Sequence, residues 1–108
     1  MKNFLVLYAA TEETFAHWSS MSEADAKAGM NDWMEWQKNN AAALVQPGAP
    51  VGKNLRLTAS GASQTANEIC GYCVMRADTA EDVTKILASN PHLATPGTYV
   101  EIMPVMEM

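Results

Sequence analysis

The chain has no apolar run approaching the roughly 18 residues that a membrane-crossing helix needs. It also has no cluster of basic residues. Its seven cations, Lys2, Lys27, Lys38, Lys53, Arg56, Arg76 and Lys85, are scattered among twelve carboxylates, for a net charge of -5. A surface that neutralises phosphates needs its cations grouped, so neither nucleic acid nor an anionic membrane is expected as a partner. Two cysteines in 108 residues are too few for a disulfide scaffold. With eight methionines they describe a reduced chain, and the cytoplasm is the expected location. Phosphate-loop, nucleophile-elbow and dense metal-ligand patterns are all missing, so no cofactor or metal is expected.

What is present describes one domain spanning residues 1–108, long enough for a single core. Apolar residues make up 48%, which excludes disorder. The opening Met1–Tyr8 imitates a signal peptide. Its apolar run is short, however, one Lys precedes it and Glu12-Glu13 follow, so a first strand over Asn3–Ala9 fits better. Phe4, Val6 and Tyr8 would line one face, with Leu5, Leu7 and Ala9 on the other. A strand apolar on both faces belongs in the middle of a covered sheet.

Thr11–Ser20 (TEETFAHWSS) reads as a connection with room for a helical turn. Ser20-Met21-Ser22-Glu23 fits a capping box, and a long helix should follow. Its stripe of Met30, Trp33, Met34, Ala41 and Leu44 has helical spacing, and Pro47-Gly48 should end it. Trp36 falls about 120° off Met30 and needs its own cover, from a neighbouring loop or from a partner subunit. Asn54–Thr58 (NLRLT) alternates as a short strand with Leu55 and Leu57 inward, and the small, polar Ala59–Asn67 reads as a hairpin connection. Ile69–Arg76 is a third strand. A second helix starts at Asp78 or Thr79 as N-cap, buries Ala80, Val83, Ile86 and Leu87, and stops at Asn90-Pro91, with Asn90 in a left-handed cap. Tyr99–Val105 is the last strand, placed at an edge by Pro104.

Strand, helix, strand, strand, helix, strand is the order of an α+β, ferredoxin-like βαββαβ fold, with both helices on one face of a four-stranded antiparallel sheet. The first and third strands are then central. The other sheet face stays bare yet draws apolar residues from both central strands. Pairing two such faces in a homodimer, as a dimeric α/β barrel, would cover it.

Few residues can carry chemistry. His92 follows a helix end and a proline, so its imidazole is placed, and imidazole serves as acid or base near neutral pH. The competing role is structural, as a hydrogen-bond donor to local carbonyls or a cap on the helix dipole. Asp32 and Glu101 are the carboxylates that could partner it. Tyr8, Asp32, Trp33 and Trp36 could line a cleft between the first helix and the sheet, although Trp33 also suits the core. His17, beside Trp18, fits a surface role. Met103, Met106 and Met108 read as interface filler. Cys70-Gly71-Tyr72-Cys73 matches a redox CxxC, but such thiols act at a helix N-terminus. In a strand, residues three apart point to opposite faces, so two small buried hydrophobes is the better reading.

Several segments resemble the YCII-related (YciI-like) family of small dimeric α/β-barrel proteins. They are Lys2–Tyr8 (KNFLVLY), Gly71–Asp78 (GYCVMRAD), Asn90-Pro91-His92-Leu93 and Gly97–Val105 (GTYVEIMPV). The resemblance covers most of the chain through short motifs. It implies the ferredoxin-like dimer and a cleft in which a His and an Asp act as acid and base in some members. In YciI-type members one His lies early in the first helix. Here Ala28–Trp33 (AGMNDW) has none, and Asn31 and Asp32 are the polar residues available. The expectation is a homodimer that binds a small molecule near the dimer seam, with weak acid–base catalysis by His92 and Asp32. The alternative is a non-catalytic dimerisation or accessory module in which His92 is structural.

Overall fold

Alternation along the first strand decides which way the sheet faces. In the computed structural model, which describes residues 1–106, β1 (Lys2–Ala10) buries Phe4, Val6 and Tyr8 on one side and leaves Leu5 and Leu7 half-buried on the other. A two-turn helix α1 (Glu12–Ser19) and a long helix α2 (Glu23–Asn39) follow. Next come a 3-10 turn at Ala41–Ala43, β2 (Leu44–Pro50) and a hairpin of β3 (Leu55–Thr58) and β4 (Gly61–Gln64). The chain closes with β5 (Ile69–Ala77), α3 (Ala80–Leu87), a 3-10 turn at Pro91–Ala94 and β6 (Thr98–Pro104).

The main sheet has the order β2-β5-β1-β6, all antiparallel. This is the expected ferredoxin-like arrangement, with β1 and β5 central and β2 and β6 at the edges. Pro47, Pro50 and Pro104 all lie on those edge strands, where a missing N–H leaves no ladder bond unmade. The core forms where Phe4, Val6, Cys73 and Met75 from the central strands meet Trp36 of α2 and Val83 and Leu87 of α3. The thinnest dimension of the molecule, 19 Å, is that of one sheet layered with one tier of helices.

The second sheet strand lies elsewhere than the alternation in NLRLT suggests. β2 runs through the Pro47-Gly48 pair. Between Gln46↔Val74 and Ala49↔Tyr72 it advances three residues against two on β5, which is a bulge. Gly48, at φ +78°, supplies the left-handed backbone there. The NLRLT segment is a strand, but of a separate two-stranded sheet with Gly61–Gln64. Its Leu55 and Leu57 are 70% and 79% exposed rather than inward.

Local readings shift in the same way. The Thr11–Ser20 connection is a full helix whose cap, Thr11 Oγ1, accepts from the Thr14 amide. Ser22, not Ser20, caps α2, accepting from the Asp25 amide, while Ser20 Oγ donates to the His17 carbonyl. α2 stops at Asn39, before Ala41 and Leu44, and it turns Met30 and Met34 outward, each 60% exposed. Trp36 is the residue it buries, at 5%. Its Nε1–H donates to Ser89 Oγ at 3.2 Å, so its cover comes from within the chain. Asn90 is extended (φ -69°, ψ 132°) rather than left-handed. Thr79 is the N-cap of α3.

Candidate functional site

Asn90 and Pro91 place His92. The Asn90 side chain accepts from the His92 amide at 2.8 Å, and Pro91 sits in the first turn of the 3-10 segment with its fixed φ. These two restraints press the imidazole onto β1, where it is 6% exposed. There Nε2 lies 2.8 Å from the Ala9 carbonyl. A carbonyl oxygen only accepts, so Nε2 carries the proton and the neutral ring keeps its lone pair on Nδ1. Among the described residues no enclosed side-chain nitrogen or oxygen lacks a partner. Nδ1 forms no hydrogen bond within the protein and remains the ring's unengaged nitrogen.

Three aromatic rings surround the imidazole. Tyr8 meets it edge-on at 5.4 Å between centroids, Trp18 lies at 6.0 Å and Trp33 at 6.4 Å. Trp33 is in turn edge-on to Tyr8 at 4.8 Å. Tyr8 and Trp33, both cleft candidates, thus come together around His92. Trp18 is a third wall that sequence reasoning missed. Its neighbour His17 drew the attention, and nothing local marks Trp18, which comes beside the imidazole only when α1 and the Pro91–Ala94 turn meet.

A buried polar string anchors this cluster. Asn90 Nδ2 donates to Tyr8 Oη at 3.4 Å, leaving the phenol to donate to Cys73 Sγ, also 3.4 Å away. Burial, and then the bond to Cys73, push the Tyr8 phenol far above the ordinary tyrosine range. The folded protein therefore holds a proton that the unfolded chain releases near pH 10. The contribution is complete below that pH and is lost as pH rises past it. Denaturant melts between about pH 8 and 11 should show wild type losing stability faster than Tyr8→Phe at the alkaline end. At neutral pH the variant should be weaker by about 1 kcal/mol. Parallel pH curves would show that the phenol is not held protonated by the fold.

Asp32, Trp36 and Pro91 border an open groove of about 440 Å³ together with Glu35, Asn39, Asn40 and Ser89. The groove adjoins His92 through Pro91, but Asp32 makes no bond to the imidazole, whose ring hydrogen bond goes to the main chain. Glu101 pairs with Leu7 in the β1–β6 register, so it sits on the open sheet face, across the sheet from His92. His17 lines a second groove, of about 390 Å³, with Thr11, Glu13, Thr14, Thr95 and Gly97.

The two cysteines are free, and Cys70, the extra residue at the register shift between β1 and β5, packs partly buried against the core. Cys73 lies in the core, while Cys70 Sγ donates to the Tyr8 carbonyl at 3.4 Å. Burial raises both thiols above the usual range, the reverse of what a redox thiolate requires. Among the described residues no three His, Cys, Asp or Glu side chains are grouped to hold a metal, and no helix is long and apolar enough to cross a membrane.

The fold is shared with an enzyme. The chain superposes on 5-chloro-2-hydroxyhydroquinone dehydrochlorinase (TftG) from Burkholderia phenoliruptrix AC1100, solved in complex with 2,5-dihydroxybenzoquinone. The TM-score is 0.53 over 92% of this chain and 90% of that one, at 14% identity. No family model matches the chain, and no curated protein is significantly similar to it in sequence. The likeness to the dehydrochlorinase is one of architecture, the α+β sheet with helices on one face.

Proposed function

We propose that the chain is a YCII-like homodimer, paired through its open sheet face, that binds a small planar molecule beside His92 and uses the ring as a proton acceptor. The observation that carries this reading is the Nε2–H bond to the Ala9 carbonyl. It fixes the tautomer and leaves Nδ1 as a base within a wall of three aromatic rings. Aromatic edges and faces at these distances suit a flat, hydroxylated ring. Asp32 in the adjoining groove supplies a carboxylate for the ligand's polar rim. The similarly folded dehydrochlorinase holds 2,5-dihydroxybenzoquinone, which makes that compound the first probe for this chain.

The open face supports this pairing. Leu5, Leu7, Tyr72 and Val74 are only half-buried in a single copy, and Tyr99 and Met103 beside them are 37% and 38% exposed. A contiguous apolar strip of this kind is what a second sheet covers.

Calorimetric titration of 2,5-dihydroxybenzoquinone and of chlorinated hydroquinones, with turnover assays on each, tests the site. His92→Ala should cut turnover about 10²-fold or more, as loss of a general base does. His92→Gln, which keeps a donor for Ala9, should retain the fold but not the activity. Burial of His92 and its main-chain bond favour a second reading, an accessory module in which the ring only pins the turn to β1. In that case His92→Ala lowers the melting temperature and leaves ligand binding unchanged, and His92→Gln restores the stability.

A further inference from the structure

The β3–β4 hairpin stands apart from the body. Its ladder, Leu55↔Gln64 to Thr58↔Gly61, is its own two-stranded sheet, and an isolated pair of strands is marginal in water. Leu55 and Leu57 share one of its sides and are 70% and 79% exposed. Its charge is also unlike that of the rest. Between Val51 and Asn67 the chain carries Lys53 and Arg56 and no carboxylate, leaving five cations against twelve carboxylates elsewhere. A cationic arm with bare leucines on an acidic body is complementary to a second copy of that body, and a two-fold pair satisfies both arms at once.

We infer that this hairpin is a clasp that seats on β6 of a second copy. The inference rests on the sheet-paired dimer proposed above and adds a contact to it. The proposed pair takes its two-fold axis along the strands, which reads the order β2-β5-β1-β6 backwards in the second copy and lays β2 of one chain over β6 of the other. The arm leaves the sheet from the end of β2. It therefore emerges beside Tyr99, Glu101 and Met103 of the second copy, which alternate onto the open face in register with Ala9, Leu7 and Leu5. Tyr99 and Met103 are 37% and 38% exposed and give the leucines apolar surface. Glu101 between them is exposed and gives Arg56 a carboxylate.

Sedimentation equilibrium at low salt tests the clasp on the full chain. Wild type should dimerise reversibly. Leu55→Ser/Leu57→Ser and Arg56→Glu should each raise the dimer dissociation constant about tenfold or more. Joining Arg56→Glu to Glu101→Arg should bring it back to within about threefold of wild type. Leu7→Lys, on the open face and checked for folding by circular dichroism, serves as the control for sheet pairing. Arm variants that dimerise like wild type while Leu7→Lys is monomeric would overturn the clasp and leave the sheet pairing standing. A wild-type chain that stays monomeric would remove both.

Discussion

Gly48→Ala is expected to yield a chain that does not reach the native fold. Gly48 lies at the β2 bulge with φ +78°, and a Cβ there would stand 1.6 Å from the Tyr72 carbonyl oxygen and 2.6 Å from its carbon. Both atoms belong to the backbone of β5, the central strand hydrogen-bonded to β1 in the middle of the sheet, so no side chain can move aside. The left-handed backbone adds a further penalty of about 1–2 kcal/mol for a residue with a Cβ. Relief would need β2 to leave the sheet, and domains of this size hold only about 5–15 kcal/mol in reserve. Far-ultraviolet circular dichroism and urea melts of the purified variant are the check. A cooperative melt within about 1 kcal/mol of wild type would contradict the bulge geometry. Gly29→Ala, where a Cβ meets nothing within 4 Å, should be neutral or mildly stabilising by helix propensity.

Phe4→Ala should cost about 3–5 kcal/mol, the largest effect expected of any side-chain truncation here. Phe4 is 1% exposed and among the bulkiest fully buried side chains. Its cross-strand partner on β5 is Met75, itself fully buried. Removing the ring leaves a hole flanked by two central strands, whose hydrogen-bonded ladders resist collapse into it. The cost therefore includes cavity as well as lost transfer energy. Urea unfolding should show a lower midpoint with an unchanged slope. Leu5→Ala, one residue away on the open face, should cost much less in a dilute sample. A Phe4→Ala cost below about 1.5 kcal/mol would mean that the core repacks around the gap.

The architecture was legible because it rests on periodicities that survive local error. Two-sided apolar alternation put β1 in the middle, Pro104 put β6 at an edge, and the helical spacing of Val83, Ile86 and Leu87 marked α3, although Ala80, expected on the same face, is exposed at the helix start. The second strand was misread because its own signals oppose it. Pro47, Gly48 and Pro50 read as loop punctuation, yet an edge strand tolerates prolines and a bulge requires the glycine. The better strand signal in NLRLT belongs to a hairpin outside the main sheet. The stripe on α2 failed for a related reason. Its length was overestimated through Ala41 and Leu44, and that rotated the assigned face away from Trp36 towards Met30 and Met34.

At the candidate site, the Asn-Pro-His order announced a positioned imidazole. The Ala9 carbonyl as its partner was illegible, since a main-chain acceptor has no residue signature. Trp18 was equally hidden, because its wall position depends on where α1 lies relative to the distant turn that carries His92. The same holds for the Asn90–Tyr8–Cys73 string, which joins residues 82 and 65 positions apart.

By itself, then, the sequence determined the α+β class, β1 and β5 as the central strands, β6 at an edge and the α3 helix. Those follow from local sterics and from spacing along one element. The tertiary structure alone decided which apolar segment joins the main sheet, which tautomer His92 adopts and which rings enclose it. These depend on contacts between residues far apart in the chain, where the atom that fixes each outcome is often a backbone carbonyl.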